Sequence, residues 1–340
     1  RVMTVAEPTR GGPLRVGIML TRNFTLSAFA LFVDTLRLAS DERDHSGRKY
    51  VDWDVVSDTA QLIQSSSGVP VAPTARLTDR KTYDYLVVVG GRLNIEQQLN
   101  PALMSFLKAN GEKGTPVVGL CTGSFVLAEA GLLRGKTACV SWLHREEFEQ
   151  AFPDISLVSH RLFLEEGKVT TCAGGTAVAD LAAWIVKKHV GLPAAKNAME
   201  ILQIERYRDG DDIQARLPLN LPAVRDNRVK LALLLMEELA HQKGDVEGIA
   251  SRVGVSSRQL ERLFNQELGY GPSKAIQKIR LEKARLFVEH TEQSVMQIAV
   301  AFGYESQTHF SRMFRAHFGL NPSEMRLRSG VNGTDTKGED

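Results

Sequence analysis

The sequence lacks most of what would take a chain into a membrane or an oxidising compartment. Its three cysteines, Cys121, Cys139 and Cys172, are an odd, widely spaced set with no CxxC pair. Such a set fits neither a disulfide framework nor a zinc site, and it reads as reduced thiols. Apolar runs such as Leu231 to Met236 fall far short of the roughly 20 residues that cross a bilayer. No membrane span is expected. Arg1 to Pro13 has no continuous apolar core, so it lacks the form of a secretory signal and reads as a mobile lead-in. Together these absences predict a cytoplasmic protein with no metal.

Charge of one sign is also scarce: 42 basic against 40 acidic side chains leave +2 over 340 residues. The surplus is concentrated. Residues 1–224 hold 25 of each sign, whereas residues 225–328 hold 16 basic against 12 acidic and four of the histidines. A local excess of this kind points toward nucleic acid. A chain of this length with 43% hydrophobic residues can build two or three domains, each with its own core.

Residues 14–207 alternate β-branched runs with amphipathic stretches, the pattern of a parallel sheet with helices on its faces. The strand candidates are Leu14 to Leu20, Trp53 to Ser57, Tyr85 to Val89, Pro116 to Leu120 and Lys168 to Cys172. Between them, apolar residues at three- and four-residue spacing predict helices over Leu26 to Ser40, Ala102 to Asn110, Ser124 to Ala130 and Ala177 to Val190. Residues 208–225 hold Pro218 and Pro222 and read as a linker. From 226 to 328 only helical patterns remain, and the polar tail 329–340 is expected to be disordered.

Within the helical part the text repeats itself. Residues 249–273 run IASRVGVSSRQLERLFNQELGYGPS, and residues 298–323 run IAVAFGYESQTHFSRMFRAHFGLNPS. Ile249, Ala250 and Gly254 match Ile298, Ala299 and Gly303 at one offset. Leu260, Arg262, Phe264, Gly269, Pro272 and Ser273 match Phe310, Arg312, Phe314, Gly319, Pro322 and Ser323 at an offset one residue longer. The second copy therefore has one extra residue in its turn. A small residue where two helices cross and a glycine at the sharp turn are the mechanical needs of a helix-turn-helix. In the first copy Leu260, Leu263 and Phe264 form the buried stripe, which leaves Arg258, Gln259, Arg262 and Asn265 facing outward. The second buries Phe310, Met313 and Phe314 and presents Gln307, Thr308, Ser311, Arg312 and Arg315. Arginine pairs with guanine and glutamine with adenine through bidentate contacts in the major groove.

This segment resembles the DNA-binding domain of AraC-family transcription regulators. The resemblance implies two helix-turn-helix units joined by a long helix, here Ala275 to Glu289 with Ile276, Ile279, Ala284 and Phe287 apolar. The two units would enter adjacent major grooves roughly 10 base pairs apart.

In the first part, Pro116 to Val126 reads PVVGLCTGSFV: a strand, a turn holding Cys121, then a helix, the layout of a nucleophile elbow. Gly119 and Gly123 remove side chains where the backbone bends, and the helix start is a place where backbone dipoles favour an anion. Further signals are the pair Gly90 and Gly91 after a strand, AEAGLLRGKTACVSW at 128–142 and TCAGGTAVADLAAWIV at 171–186. This set is similar to the PfpI-like, class I glutamine-amidotransferase-like domain, in the version fused ahead of an AraC-type module in GlxA-like regulators. The resemblance spans about Leu14 to Leu327. It implies a flavodoxin-like α/β sandwich with a mostly parallel sheet, followed by an all-α domain with two helix-turn-helix motifs.

Catalytic relatives support the cysteine with a histidine; here Thr122 and Ser141 stand at the places where such histidines occur. A thiol without a base is a weak nucleophile near neutral pH, so no catalytic residue is assigned. His144 and His160 are read as surface or structural, and Cys139 and Cys172 as small core residues. The expected pocket lies at the carboxyl end of the sheet, built from Gly90, Gly91, Cys121, Thr122, Trp142, Gly174, Gly175 and Thr176.

The leading reading is a promoter-binding regulator, mostly an activator among AraC relatives, whose first domain binds a small metabolite. The resemblance implies an amino-acid-related or quaternary-amine effector, double-stranded DNA as partner, RNA polymerase as a further partner, and a homodimer formed through the first domain. No cofactor is implied. Two alternatives stay open: a cysteine hydrolase or amidotransferase-like enzyme with a DNA-binding tail, and a ligand-independent dimeric DNA binder.

Overall fold

The computed structural model describes residues 12–40, 45, 47–93, 99–214, 224–240 and 245–329, and these divide into two compact units on either side of Gln214. The lead-in and the tail expected from the sequence fall almost wholly outside the described residues.

The first unit is built on β1 (Leu14–Leu20), β2 (Val51–Ser57), β5 (Ala75–Arg76), β6 (Tyr85–Val89), β7 (Val117–Leu120), β10 (Phe163–Glu166) and β11 (Val169–Cys172). They form one sheet in the order β10-β11-β7-β6-β1-β2-β5, parallel throughout except for the β10–β11 hairpin. Successive residues of a strand face opposite sides. Val16, Ile18 and Leu20 accordingly join one core while Met19 joins the other, and Val87 and Val89 separate from Leu86 and Val88 in the same way. Burial on both faces explains why these strands read as continuous apolar runs.

Helices α1 (Leu26–Ser40), α5 (Ala177–His189) and α6 (Leu192–Ile201) pack together over the first core. Helices α2 (Pro101–Glu112) and α3 (Gly123–Glu129) cover the second. Small pairs β3 (Ile63–Gln64) with β4 (Pro70–Val71), and β8 (Thr137–Cys139) with β9 (Ser156–Val158), sit outside the main sheet, as does α4 (Arg145–Ala151).

From β1 the chain moves to β2 on one side and then returns past β1 to β6, β7 and β11. Strand order thus reverses between β1 and β6, the kind of switch point where open α/β sheets bind ligands. The crevice is tied by Thr21, whose hydroxyl donates to the Val89 carbonyl at 3.1 Å.

One expectation needs correcting. Residues 208–214 do not begin the linker. They pack on the first unit, with Leu162 N–H donating to the Gly210 carbonyl at 3.0 Å and Gln214 N–H donating to the His160 carbonyl at 2.8 Å. Polar, glycine-bearing composition resembles a linker, but here the polar groups are satisfied by the edge of the domain.

The second unit is all helical: α7 (Asn227–Glu238), α8 (Val246–Val253), α9 (Ser257–Leu268), α10 (Pro272–His290), α11 (Val295–Ala301), α12 (Gln307–Phe318) and α13 (Pro322–Ser329). It holds two cores. Val229, Leu233, Ile249, Leu260, Phe264 and Ile276 belong to one, and Ala284, Val288, Ile298, Phe302, Phe310 and Phe314 to the other. Helix α10 contributes to both and is the joining helix, starting at Pro272, three residues before the expected Ala275 because proline is well placed in a first helical turn. Among the described residues, no helix is long and apolar enough to cross a membrane.

Candidate effector site and nucleic-acid interface

Cys121 lies between β7 and α3 with φ at +55°, a left-handed conformation uncommon outside glycine. Its neighbours hold it there. A Cβ on Gly90 would fall 2.1 Å from the Gly123 nitrogen, and one on Gly91 would fall 1.8 Å from the Asn23 carbonyl oxygen. Only glycine lets these backbones approach. The Thr122 hydroxyl donates to the Gly91 carbonyl at 2.7 Å and is buried. Gly90, Gly91 and Thr122 are therefore the frame beneath the elbow. All three are buried, whereas the sequence reading expects them at a pocket surface.

The other five expected residues reach solvent. Cys121 and Gly174 are half-buried, and Gly175, Thr176 and Trp142 are exposed. Gly174 approaches the thiol closely, since a Cβ there would stand 3.3 Å from Sγ. Thr25, at the start of α1, was missed by sequence reasoning, and its hydroxyl lies 3.6 Å from Cys121 Sγ. No motif marks it, because 96 residues separate the two. Trp142 begins a short 3-10 turn over Trp142–His144, and its N–H donates to Gln214 Oε1 at 3.3 Å.

Among the described residues no histidine bonds to the thiol. His144 instead meets Glu147 at 3.1 Å and turns edge-on to Phe125. Burial pushes the Cys172 thiol up to about 12, which suits a core residue, and Cys139 Sγ donates to the Arg161 carbonyl. Among the described residues, no group of three or more histidine, cysteine or acidic side chains could hold a metal ion.

A cavity of about 530 Å³ opens beside the β1–α1 loop, lined by Arg22, Asn23, Asp58, Gln61 and Asn100 among others. Asn100 Nδ2 donates to Asp58 Oδ1 at 2.7 Å. Its size falls in the range of small-molecule sites. These residues, too, were missed by sequence reasoning; the signal for them is their place just beyond the ends of β1 and β2.

In the second unit the outward residues sit where the repeat put them. Arg258, Gln259, Arg262 and Asn265 on α9 are exposed, as are Gln307, Thr308, Arg312 and Arg315 on α12, with Ser311 half-buried. Two of the nine are occupied by their own helix. Gln259 Oε1 accepts from Ser256 N–H at 2.9 Å in a capping box, and Asn265 Nδ2 donates to the Glu261 carbonyl at 2.9 Å. The arginines, Gln307 and Thr308 have no such partner among the described residues.

An elbow on a mostly parallel α/β sheet followed by paired helix-turn-helix units defines a class of two-part, DNA-binding proteins. Comparison with known proteins agrees. Residues 35–188 match the DJ-1/PfpI family and residues 249–328 a helix-turn-helix domain. The chain is 32% identical to the HTH-type transcriptional regulator GbdR of Pseudomonas aeruginosa, over 94% of this chain and 86% of that one. It is 33% identical to the HTH-type transcriptional regulator CdhR of the same species, over 91% and 90%. A crystal structure of an AraC-type transcriptional regulator from Chromobacterium violaceum is 42% identical over 31% of this chain and 95% of that one, with a TM-score of 0.30. The chain belongs to the AraC-family transcriptional regulators that join a DJ-1/PfpI domain to an AraC-type helix-turn-helix domain.

Proposed function

We propose that this regulator reads a two-part promoter site with α9 and α12, and that a small metabolite held at the carboxyl end of the sheet changes that binding. The observation that carries the reading is the pair of helices with one buried stripe and one exposed face of guanidinium and amide groups. The mouth formed by Thr25, Cys121, Gly174, Gly175 and Thr176 and the neighbouring cavity with Arg22 and Asp58 are the candidate effector site. A carboxylate and a guanidinium lining one cavity suit a ligand that carries both charges, in keeping with an amino-acid-related or quaternary-amine effector. Activation through RNA polymerase, a homodimer formed by the first unit and a cytoplasmic location complete the reading.

An effector shifts DNA binding only if it binds the two conformations of the protein with different affinity. The test has two stages. DNA fragments selected by the full chain supply a site, and Arg262→Ala with Arg312→Ala should then lower affinity for it and flatten the salt dependence that comes from counterion release. Full affinity in the double variant would overturn the assignment of the reading faces. A thermal-shift screen of the full chain against amino acids and quaternary amines tests the effector, because a ligand of the native state raises apparent stability by mass action.

A second reading has one observation in its favour, the left-handed backbone at Cys121, since such strain collects at catalytic turns. Hydrolytic turnover that Cys121→Ala abolishes while DNA binding persists would establish it.

A further inference from the structure

The segment that sequence composition marks as the start of the linker is bonded at one end to Thr176, in the 174–176 loop of the candidate effector site, and at the other to the 140–142 loop that carries Trp142. At one end, Arg208 reaches across to α5. Its Nε donates to Asp180 Oδ2 at 3.0 Å, its backbone N–H donates to Asp180 Oδ1 at 2.9 Å, and its Nη2 donates to Thr176 Oγ1 at 2.9 Å. The Asp180 side chain is fully buried while that of Arg208 is 21% exposed. At the other end, Gln214 is buried with both amide hydrogens used: Nε2 donates to the Val140 carbonyl at 2.9 Å and to the Arg161 carbonyl at 2.7 Å. Its Oε1 accepts from Trp142 N–H. After Gln214 the chain passes into the DNA-binding unit.

We propose that residues 208–214 are an output latch, a strap that stays closed on the first unit or comes away from it according to the position of the 174–176 and 140–142 loops and so sets how much of the chain before the DNA-binding unit is held by the first unit. This deepens the effector reading and rests on it for its physiological trigger, although the strap and its bonds do not depend on it. The chemistry makes the latch two-state. A buried carboxylate holds its charge only while the guanidinium faces it, and a buried amide that leaves its carbonyls strands them. Intermediate positions are therefore disfavoured. Burial already pushes the Asp180 carboxyl above the usual carboxylate range despite Arg208, so its charge depends on a close partner. Opening would add roughly 3.3–3.6 Å of reach for each freed residue, which in the proposed homodimer changes the effective concentration of one DNA-binding unit at its part of the site once the partner's unit is bound.

The test needs no known effector. Iodoacetamide serves as the probe, because Cys121 is half-buried while Cys139 and Cys172 are fully buried. The sulfur displaces iodide, its proton goes to solvent, and the added group meets Gly174. Hydrogen–deuterium exchange on the full chain is then read at 206–214 and 160–163, where the Gln214 and Leu162 amides close the strap. Exchange there should rise at least ten-fold on labelling, with the amides of β1 and β2 unchanged and no response in Cys121→Ser. Complete labelling at Cys121 with unchanged exchange in the strap would overturn the proposal. Thr176→Val supplies an arm free of reagent, since Thr176 is exposed and the change deletes only its bond to Arg208. Exchange at 206–214 should rise about three-fold or more, and an unchanged rate would overturn the link from loop to strap. If both arms respond while no metabolite shifts the melting temperature, the effector reading fails and the latch stands.

Discussion

The two helix-turn-helix copies repeat one another in text, yet they divide their polar groups differently. In the first, the α9 N-terminus is closed by Ser256 and Gln259, each bonded to the other's backbone N–H, and Asn265 folds back on Glu261. In the second, Ser306 caps α12 alone by accepting from His309 N–H, and Gln307, Thr308, Arg312 and Arg315 remain unengaged among the described residues. The cores differ too. Leu260, Leu263 and Phe264 fill the first, whereas Phe310, Phe314 and Phe318 stack in sequence in the second, with centroids 5.4 and 4.6 Å apart. The same fold can thus use a glutamine near the start of the second helix to cap it in one copy and leave it exposed in the other.

The largest effects should come from the cores. Phe264→Ala and Phe314→Ala each remove a fully buried ring, a change that costs about 3–5 kcal/mol. Phe314 touches aromatic rings on both sides, and aromatic pairs add about 0.5–1.5 kcal/mol each beyond burial. Urea denaturation should therefore place Phe314→Ala below Phe264→Ala. Equal midpoints would remove the distinction between an aromatic and an aliphatic core.

Legibility followed the same division between local pattern and distant contact. The strands Leu14–Leu20 and Tyr85–Val89 and the helix Leu26–Ser40 were read to the residue because burial on one or both sides imposes a period on the text. The short pairs β3–β4 and β8–β9 were missed, since two or three residues carry no period. At the site, the elbow was readable from its glycines, but Thr25, Asp58 and Asn100 come from loops distant in sequence and have no motif. Nor does composition tell a solvated linker from a strap: Arg208 and Gln214 look like linker residues until Asp180 and the Val140 carbonyl are placed beside them.

Next in size is a test on DNA. Gln307→Ala should cost about 1–3 kcal/mol of discrimination at one base pair if its amide makes a bidentate contact, with little change in melting temperature. Gln259→Ala should do the reverse, lowering stability by about 0.3–1.5 kcal/mol through the lost half of the capping box and altering affinity less. Competition binding with single-base variants of a selected site measures the first, and thermal denaturation the second. If Gln259→Ala costs as much discrimination as Gln307→Ala, the copies share the reading equally.

Acid should also separate the halves. Asp226 caps α7 by accepting from Arg228 N–H at 2.8 Å, and its hydrogen bonds to the Arg228 side chain hold the carboxyl below its usual range. A depressed carboxylate stabilises the folded state above its unfolded pKa, near 3.9, and the contribution is lost as pH falls through the folded value. The second half enters through α11, capped by Ser294 and Gln297, neither of which titrates. Amide exchange in α7 should accelerate relative to α11 between pH 5 and pH 3. A constant ratio would remove Asp226 from the stability of the first half.

The smallest effects concern two hydroxyls that the halves share in kind. Tyr270 in the first and Tyr304 in the second each bury an oxygen with no hydrogen-bond partner among the described residues, and burial raises both phenols above their ordinary range. A buried hydroxyl left unpaired carries a desolvation penalty, so its removal with the ring retained is neutral or favourable. Tyr304→Phe should leave stability unchanged or raise it by up to about 1 kcal/mol. Tyr270 differs in one respect, because the Lys278 ammonium lies 4.1 Å over its ring. That contact uses the ring face, which phenylalanine keeps, so Tyr270→Phe should behave alike. A loss of 1 kcal/mol or more in either variant, about the worth of a hydrogen bond, would mean that the hydroxyl has a partner, such as a buried water, and that the core around it is wetter than its packing implies.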